Sequence, residues 1–288
     1  ARGAWRIPPS FSQAEQFGAA GLAVVGKDGK SGAIDAAGRF VIPPIYDWID
    51  GFREGRAVAV NDDGWRVVDT AGRVLTPQPY PFIGQYSGGR ALFLKRTDSG
   101  PDLYGYLDRS GREAIPAAFL EAGEFTARGK AVVKTADGEF ALIDPNGRRL
   151  ATYRFQYVGS PGDGLLPFRR EENGPYGYID EAGRVVIEPR FTGAMPFSGG
   201  RAVVNTAPDY GSTYGLIDRS GKFVVEPVYN DIRLLGEGRA ALGIAADPAQ
   251  PVIGSKYALA DAESGRLLTG FLFRSIGDFR FSLSSVSD

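Results

Sequence analysis

The chain has 288 residues, a length that suits one large domain with a sizeable core or two smaller domains. It contains no cysteine and no histidine, which excludes a disulfide framework, thiolate metal sites, and catalysis or zinc binding by histidine. The formal net charge of −1 carries no bulk signature of nucleic-acid binding. No apolar run approaches the roughly 18–20 residues that span a bilayer.

A repeated motif organises the chain. It consists of an aromatic residue and a glycine, apolar residues, an aspartate, two spacers, a glycine, a basic residue and an apolar run. Its copies contain Asp35, Asp69, Asp108, Asp144, Asp180, Asp218 and Asp261. A recurrence every 34 to 43 residues indicates a repeat architecture. In chain order, the copies cover approximately residues 18–47, 52–80, 86–119, 125–155, 162–191, 197–229 and 235–273. With partial copies at both ends, we predict a single repeat domain over residues 1–288.

Each copy is predicted to be a β-meander. In the sixth copy, residues 201–205, 214–218 and 222–229 have the β-branched and aromatic composition of strands. We expect residues 230–235 to form a short fourth strand at the outer edge of the same copy. The 40 glycines and 19 prolines fit many short strands joined by tight turns, so the predicted fold class is all-β.

The turn between the second and third of these strands has the strongest local signal. Six copies contain Asp-x-x-Gly, and the seventh has one extra residue between Asp261 and Gly265. An aspartate at the start of a turn accepts hydrogen bonds from backbone N–H groups that follow it, and the glycine supplies a left-handed backbone. We therefore interpret these carboxylates as structural, and not as a catalytic pair or a calcium site.

These motifs together resemble the WG-repeat family of bacterial proteins. Residues 176–180 (YGYID) and 183–189 (GRVVIEP), like residues 38–47 (GRFVIPPIYD), match its pattern. The resemblance covers roughly residues 5 to 280, although Trp65 alone keeps the tryptophan of the motif, and Arg66, Ala141 and Ala258 replace its glycine. The resemblance implies a binding or scaffold role in bacteria and implies no catalytic residues.

The arrangement of the copies has two possible forms. A repeat of this length with three or four strands favours a β-propeller-like closed ring, sealed by pairing of the partial copies at the two ends. The alternative is an open β-superhelical stack of hairpins, in which degenerate terminal copies act as caps.

Loops of unequal length mark the predicted binding face. Between the first and second strands, longer loops occur at residues 95–103, 169–175, 205–213 and 243–255. Insertions in a repeat protein commonly mark its binding face, although surface loops also lengthen at little cost. The candidate partner-binding residues in three of these loops are Arg96, Asp98, Arg169, Arg170, Glu171, Asp209 and Tyr210.

Two sets of basic residues also follow the repeat. One follows the turns: Arg39, Arg73, Arg112, Arg148, Arg184, Lys222 and Arg266. The other precedes the first strand of five copies: Arg56, Arg90, Lys130, Arg201 and Arg239. Either set could attract anions, but pairing with neighbouring acids is the favoured interpretation. Arg201 and Arg239 are kept as candidate contacts with a partner.

The favoured function is a non-enzymatic protein-binding module. A narrower hypothesis is an inhibitor or immunity protein that binds a secreted bacterial toxin enzyme. The alternatives are carbohydrate or cell-wall binding, with two loop carboxylates such as Asp98 and Glu171 available for glycoside hydrolysis, and an architectural domain of an envelope assembly. We expect no cofactor, no metal, no nucleic-acid partner and no transmembrane segment. A periplasmic or cell-envelope location is expected, with peripheral or lipid-anchored association open and the cytoplasm as the other option.

Overall fold

A computed structural model describes residues 6–208, 213–247, 254–279 and 285–287. The chain divides between Leu150 and Ala151 into two compact units. Among the described residues every named element is a β-strand, as predicted from the composition. None of these residues belongs to a helix long and apolar enough to cross a membrane.

The first unit begins with a sheet of β1 (Gln13–Ala14), β2 (Leu22–Lys27), β3 (Lys30–Asp35) and β4 (Phe40–Tyr46). The second sheet has β5 (Trp48–Ile49), β6 (Arg56–Asn61) and β7 (Gly64–Asp69). The third has β8 (Phe82–Ser87), β9 (Arg90–Lys95), β10 (Leu103–Leu107) and β11 (Glu113–Phe119). The fourth has β12 (Glu121–Ala122), β13 (Ala131–Lys134), β14 (Phe140–Ile143) and β15 (Arg149–Tyr153), and the division between the units falls within β15.

The second unit continues with β16 (Tyr157–Val158), β17 (Leu165–Arg169), β18 (Tyr176–Asp180) and β19 (Val185–Phe191) in the fifth sheet. The sixth sheet has β20 (Gly193–Ala194), β21 (Ala202–Asn205), β22 (Tyr214–Ile217) and β23 (Phe223–Tyr229). The seventh has β24 (Asp231–Gly236), β25 (Arg239–Ala245) and β26 (Ser255–Asp261). A two-stranded sheet pairs β27 (Ser275–Ile276) with β28 (Val286–Ser287).

Each sheet is an antiparallel meander in chain order, but it begins one strand earlier than the sequence predicted. The segment expected as the outer strand of the sixth copy is β24, which pairs with β25 of the following sheet. That prediction was wrong because the chain reverses directly after β24. Gly236 and Gly238, both with positive φ, close a tight hairpin that folds β24 back onto β25.

The Asp-x-x-Gly turns form as predicted. At Asp69, the carbonyl accepts the Gly72 N–H at 3.0 Å, and Oδ1 accepts the N–H groups of Ala71 and Arg73, both at 2.9 Å. Gly72 has a φ of 78°, which a residue with a side chain rarely adopts. The same pattern recurs at Asp35 and Asp180. These carboxylates therefore organise the backbone of the turn.

The glycine of the aromatic-Gly motif has a packing role. A Cβ added at Gly177 of β18 would lie 2.4 Å from the Ile187 carbonyl oxygen of β19. The equivalent glycines lie close to backbone in the same way: Gly32, Gly105 and Gly215. Their partners are β4, β11, β19 and β23, which all have seven residues, a proline and an irregular register.

The copies without this glycine lack such a strand. Where Arg66 and Ala258 replace it, only isolated bridges follow, such as Trp65–Tyr80 and Tyr257–Phe273. Where Ala141 replaces it, the following strand β15 has five residues and no proline. The glycine is therefore needed where a bulged, proline-containing strand crosses its neighbour closely.

The core lies between consecutive sheets. In the first unit, Val24 and Ile42 of the first sheet form a buried cluster with Ala57 and Val68 of the second. In the second unit, Tyr178 and Ile187 of the fifth sheet meet Val204 and Ile217 of the sixth in the same way. Each sheet thus packs face to face on the next within its unit.

Candidate functional site

The two central strands of a sheet define two ends. We call one of them the "turn end". It contains the Asp-x-x-Gly turn, which follows the third strand of the sheet, and the turn that precedes the second strand, in which a glycine stands before a basic residue. We call the "loop end" the opposite one, where the connection between these two strands varies in length. In the seventh sheet, Arg239 lies opposite Asp261 at the turn end, and Ala245 lies opposite Ser255 at the loop end.

The candidate residues predicted from the sequence fall at both ends. Arg96 and Asp98 are exposed in the loop that follows β9, and Arg169, Arg170 and Glu171 lie where β17 meets its loop. Asp209 and Tyr210 lie outside the described residues. Arg201 and Arg239, by contrast, lie at the turn ends of the sixth and seventh sheets. The seven described candidates therefore do not all lie at the same end of their sheets.

Arg169 is held between two tyrosines at the loop end of the fifth sheet. The centre of its guanidinium lies 4.9 Å from the ring centroid of Tyr176 and 5.4 Å from that of Tyr157. The register explains this contact, because Tyr157 of β16 lies opposite Arg169 and Tyr176 begins the strand on its other side. The centroids of the two tyrosine rings lie 5.7 Å apart, and the rings meet edge to face. A cation within about 6 Å of an aromatic ring centroid is attracted by the quadrupole of the ring.

The Arg169 side chain nevertheless lacks part of its hydrogen bonding. Its Nε is buried without a hydrogen-bond partner in the described structure. Asn61 Oδ1, another such atom, belongs to the last residue of β6, which is also the loop end of a second strand. Buried polar groups are nearly always satisfied, so these two atoms are exceptions among the described residues, and both lie at loop ends.

Charged side chains surround Arg169. Arg170 Nη1 donates to Glu188 Oε2 at 2.9 Å, and its guanidinium lies 5.7 Å from the Phe168 ring centroid. Glu171 and Glu172 follow it in the exposed loop. The arrangement offers one cation beside two aromatic rings, one exposed ion pair and two exposed carboxylates within a short stretch of the chain.

The turn ends are more completely hydrogen-bonded. The basic residue after the turn pairs with the aspartate of the same turn in the pairs Arg39–Asp35, Arg73–Asp69, Arg148–Asp144 and Arg184–Asp180. Partial burial alone would raise the pKa of the Asp69 carboxyl. The N–H groups of Arg73 and Ala71 and the Arg73 guanidinium outweigh that effect and hold this pKa below its usual value. The predicted pairing of this set with acids is confirmed for these residues.

Arg201 and Arg239 are also engaged within the protein. Arg201 donates from Nε to the Ala262 carbonyl oxygen at 2.9 Å and from Nη2 to the Glu263 carbonyl oxygen at 2.9 Å. Arg239 Nη1 lies 3.4 Å from Asp261 Oδ2. A partner that approached either guanidinium would meet donors that already bind the turns.

The described residues include no cluster of three or more acidic side chains that could hold a metal ion.

The sequence missed Tyr157, Tyr176 and Glu188 as parts of the loop-end site. Tyr176 was assigned only as the aromatic residue of the motif. Tyr157 and Glu188 stand 12 residues before and 19 residues after Arg169. Only the strand register brings them to its side, so pairing the predicted strands was the one available signal.

Comparison with known proteins gives the family and the fold. The model of the family described as "WG containing repeat" matches residues 2–30, 32–65, 104–138, 176–206 and 214–242. No curated protein matches the chain. Among solved structures, the chain is similar to a eukaryotic initiation factor, with a TM-score of 0.60, 11% identity and coverage of 91% of this chain and 78% of that one.

A second similar structure is the computationally designed Ika8 protein, with a TM-score of 0.54, 12% identity and coverage of 96% of this chain and 92% of that one. Identities this low show the fold alone. Together with the repeated antiparallel sheets, they make the fold β-propeller-like. The motif copies, the sheets they form and the extent of the family match lead to one conclusion: the chain belongs to the WG-repeat family.

Proposed function

We propose that this protein is a non-enzymatic protein-binding module whose contact surface is the loop end of the fifth sheet. A repeat-containing all-β chain of this family is a protein-interaction module in general terms. The observation that supports the specific surface is Arg169, a half-buried guanidinium held against two tyrosine rings beside the exposed Arg170–Glu188 ion pair.

Three features of this surface suit a protein partner. Arginine and tyrosine, like tryptophan, are enriched among the residues that dominate binding energy at interfaces. The guanidinium of Arg169 loses little freedom on binding, because its contacts with the Tyr157 and Tyr176 rings already restrict it. The Arg170–Glu188 pair is exposed, so it contributes little to folding and is free to exchange its partner.

The narrower form of the proposal is inhibition of a secreted bacterial toxin enzyme in the periplasm or cell envelope. It rests on the family resemblance and on the absence from the sequence of a catalytic constellation built on cysteine or histidine. In this form the loop end covers the active site of the toxin, and the charged groups at residues 169–172 contact complementary charges on it.

Site-specific photo-crosslinking tests the surface. A benzoylphenylalanine at position 172 is expected to capture the partner in cells of the source bacterium. The same residue at position 263, exposed at the turn end of the seventh sheet, is the matched control. The captured protein is identified by mass spectrometry, purified and titrated against the full chain.

Two variants then test the contact with the purified partner. Arg170→Ala and Arg169→Met are expected to weaken binding about tenfold or more, the effect of removing a residue that dominates an interface. Arg266→Ala, an exposed base at the turn end, is expected to leave the affinity unchanged. Equal capture from positions 172 and 263, or equal affinity of all variants, argues against this surface.

The same purified pair tests the inhibitor hypothesis. If the partner is a toxin enzyme, its activity falls as the chain is added in stoichiometric amounts. A glycan array on the full chain tests the alternative class. Tight glycan binding that survives Arg169→Met and Arg170→Ala would replace the proposal with carbohydrate recognition elsewhere on the molecule.

A further inference from the structure

A cavity of about 800 Å³ lies at the turn ends of the second, third and fourth sheets, within the first unit. Its charged lining consists of Glu54, Arg90, Asp108, Arg109 and Arg128, and backbone of Gly88, Gly89 and Gly129 forms much of the remainder. Arginines thus outnumber acids around this opening, in a chain whose net charge is close to zero.

The two acids of the lining already have partners. Glu54 Oε2 accepts the Gly89 N–H at 3.0 Å and Arg109 Nη2 at 2.9 Å. Asp108 Oδ1 accepts the N–H of Ser110 at 2.7 Å and its hydroxyl at 2.6 Å. Partial burial raises the pKa of Asp108, but these Ser110 donors and the Arg112 N–H more than compensate, so the pKa lies below its ordinary value. Neither acid is left to neutralise Arg128.

Arg128 is the free cation of the cavity. Its side chain is exposed, and in the described part of the chain it makes no hydrogen bond or ion pair. Arg90, in contrast, donates to the carbonyl oxygens of Pro145 and Gly89 at 2.8 and 3.0 Å. These bonds fix Arg90 in the cavity wall, while its positive charge still acts on the opening.

The equivalent site in the second unit, at the turn ends of the fifth, sixth and seventh sheets, differs at the position of Arg128. There, Asp163 Oδ2 accepts the Gly200 N–H at 2.8 Å, as Glu54 Oε2 accepts that of Gly89. By alignment of the repeats, Arg219 stands where the first unit has Arg109, and Glu237 stands where it has Arg128. The repeat geometry alone therefore does not place a cation at this position. The excess of arginine is particular to the copy that contains Arg128.

We propose that the cavity of the first unit binds a polycarboxylate ligand. Glu54 shows the mode of binding, because its carboxylate bridges a glycine N–H and a guanidinium at the rim of the same cavity. A planar guanidinium matches a carboxylate with two parallel hydrogen bonds, which favours carboxylate groups for Arg128. The ligand is a free small molecule or an acidic peptide segment, and both present the same group to the cavity.

An NMR titration of the full chain tests this proposal, with backbone amides of Gly88, Gly89 and Gly129 as reporters. The probes are citrate and a capped hexaglutamate peptide, each against sodium chloride at matched ionic strength. Saturable shifts confined to these amides are expected with at least one probe. The probe that binds more tightly distinguishes the two sources.

Substitutions complete the test. Arg128→Gln is expected to raise the dissociation constant about tenfold, the effect of one lost charged hydrogen bond. Arg128→Glu, which reproduces the residue type of the second unit, is expected to abolish the shifts. Arg266→Gln is the matched control and leaves them unchanged. Shifts that do not saturate, that chloride reproduces, or that persist in Arg128→Glu overturn the proposal. This site lies at the turn end, so its failure leaves the loop-end proposal intact.

Discussion

Arg201 donates its Nε–H to the carbonyl oxygen of Ala262 at 2.9 Å, and so joins the start of one repeat to the turn of the next. The same bond recurs from Arg56 to the Arg109 carbonyl at 2.7 Å and from Arg90 to the Pro145 carbonyl at 2.8 Å. In each case the acceptor is the residue directly after the turn aspartate. These arginines therefore connect consecutive sheets within a unit, as the hydrophobic core does on a larger scale.

Removing this connection is expected to lower stability. Arg201→Met keeps most of the aliphatic stem and removes three hydrogen bonds to carbonyl groups, one of them to Gly200. We expect the free energy of unfolding to fall by about 1–3 kcal/mol, as for the loss of bonds to a charged donor. Urea denaturation measures the change, and Arg266→Met, which loses only an exposed base, is expected to be neutral. Wild-type stability of Arg201→Met would contradict a structural role.

The close approach at Gly177 leads to a second prediction. Gly177→Ala places a methyl group 2.4 Å from the Ile187 carbonyl oxygen, so β18 and β19 must separate. We expect a loss of about 1–3 kcal/mol from overpacking, measured by thermal or urea unfolding. The matched reverse change, Ala141→Gly in a copy without the bulged strand, is expected to cost about 0.5–1 kcal/mol through backbone entropy alone.

Acid conditions test the turn aspartates. Burial tends to raise the pKa of Asp180, but the N–H and guanidinium of Arg184 and the N–H of Ala182 lower it overall. A folded pKa below the unfolded value of about 3.9 gives stability that is present above that pH and is lost as the pH falls through the folded value. Asp180→Asn is therefore expected to destabilise by about 0.5–1 kcal/mol at neutral pH, since the pair is largely exposed.

The same variant is informative at low pH. Protonation of the wild-type carboxyl removes the ionic interaction that Asp180→Asn already lacks. The difference in unfolding free energy between the two proteins therefore shrinks. Unfolding curves at neutral pH and below about pH 3 measure this change. A difference that is independent of pH would show that the Asp180 charge contributes nothing to folding.

Buried tyrosines make the opposite prediction at alkaline pH. Burial raises the pKa of Tyr178, whose hydroxyl donates to the Met195 carbonyl oxygen at 2.7 Å. A raised folded pKa gives stability that is complete below the unfolded value of about 10 and is lost as the pH rises above it. Tyr178→Phe is expected to cost about 1 kcal/mol at neutral pH and to lose less stability than the wild type above pH 10, which melting temperatures measure.

The sequence was sufficient for features that depend on local chemistry. Aspartate and glycine three positions apart form the turn at Asp69 because both roles, acceptor and left-handed backbone, belong to single residues. The repeated motif likewise indicated the family and the meander, because each copy carries its own strand and turn signals. The assignment of residues 230–235 to the wrong sheet shows the limit, since either neighbouring strand satisfies the same local pattern.

The candidate sites depended on distance in space. The sequence could name Arg169 as a loop residue, but only the register of β16, β17 and β18 places it between Tyr157 and Tyr176. It grouped Arg201 with the loop residues, whereas the strand direction puts Arg201 at the other end. Local propensity determined the repeat unit by itself. Strand pairing and packing between repeats decided which charges meet, because those contacts join residues that are far apart in the chain.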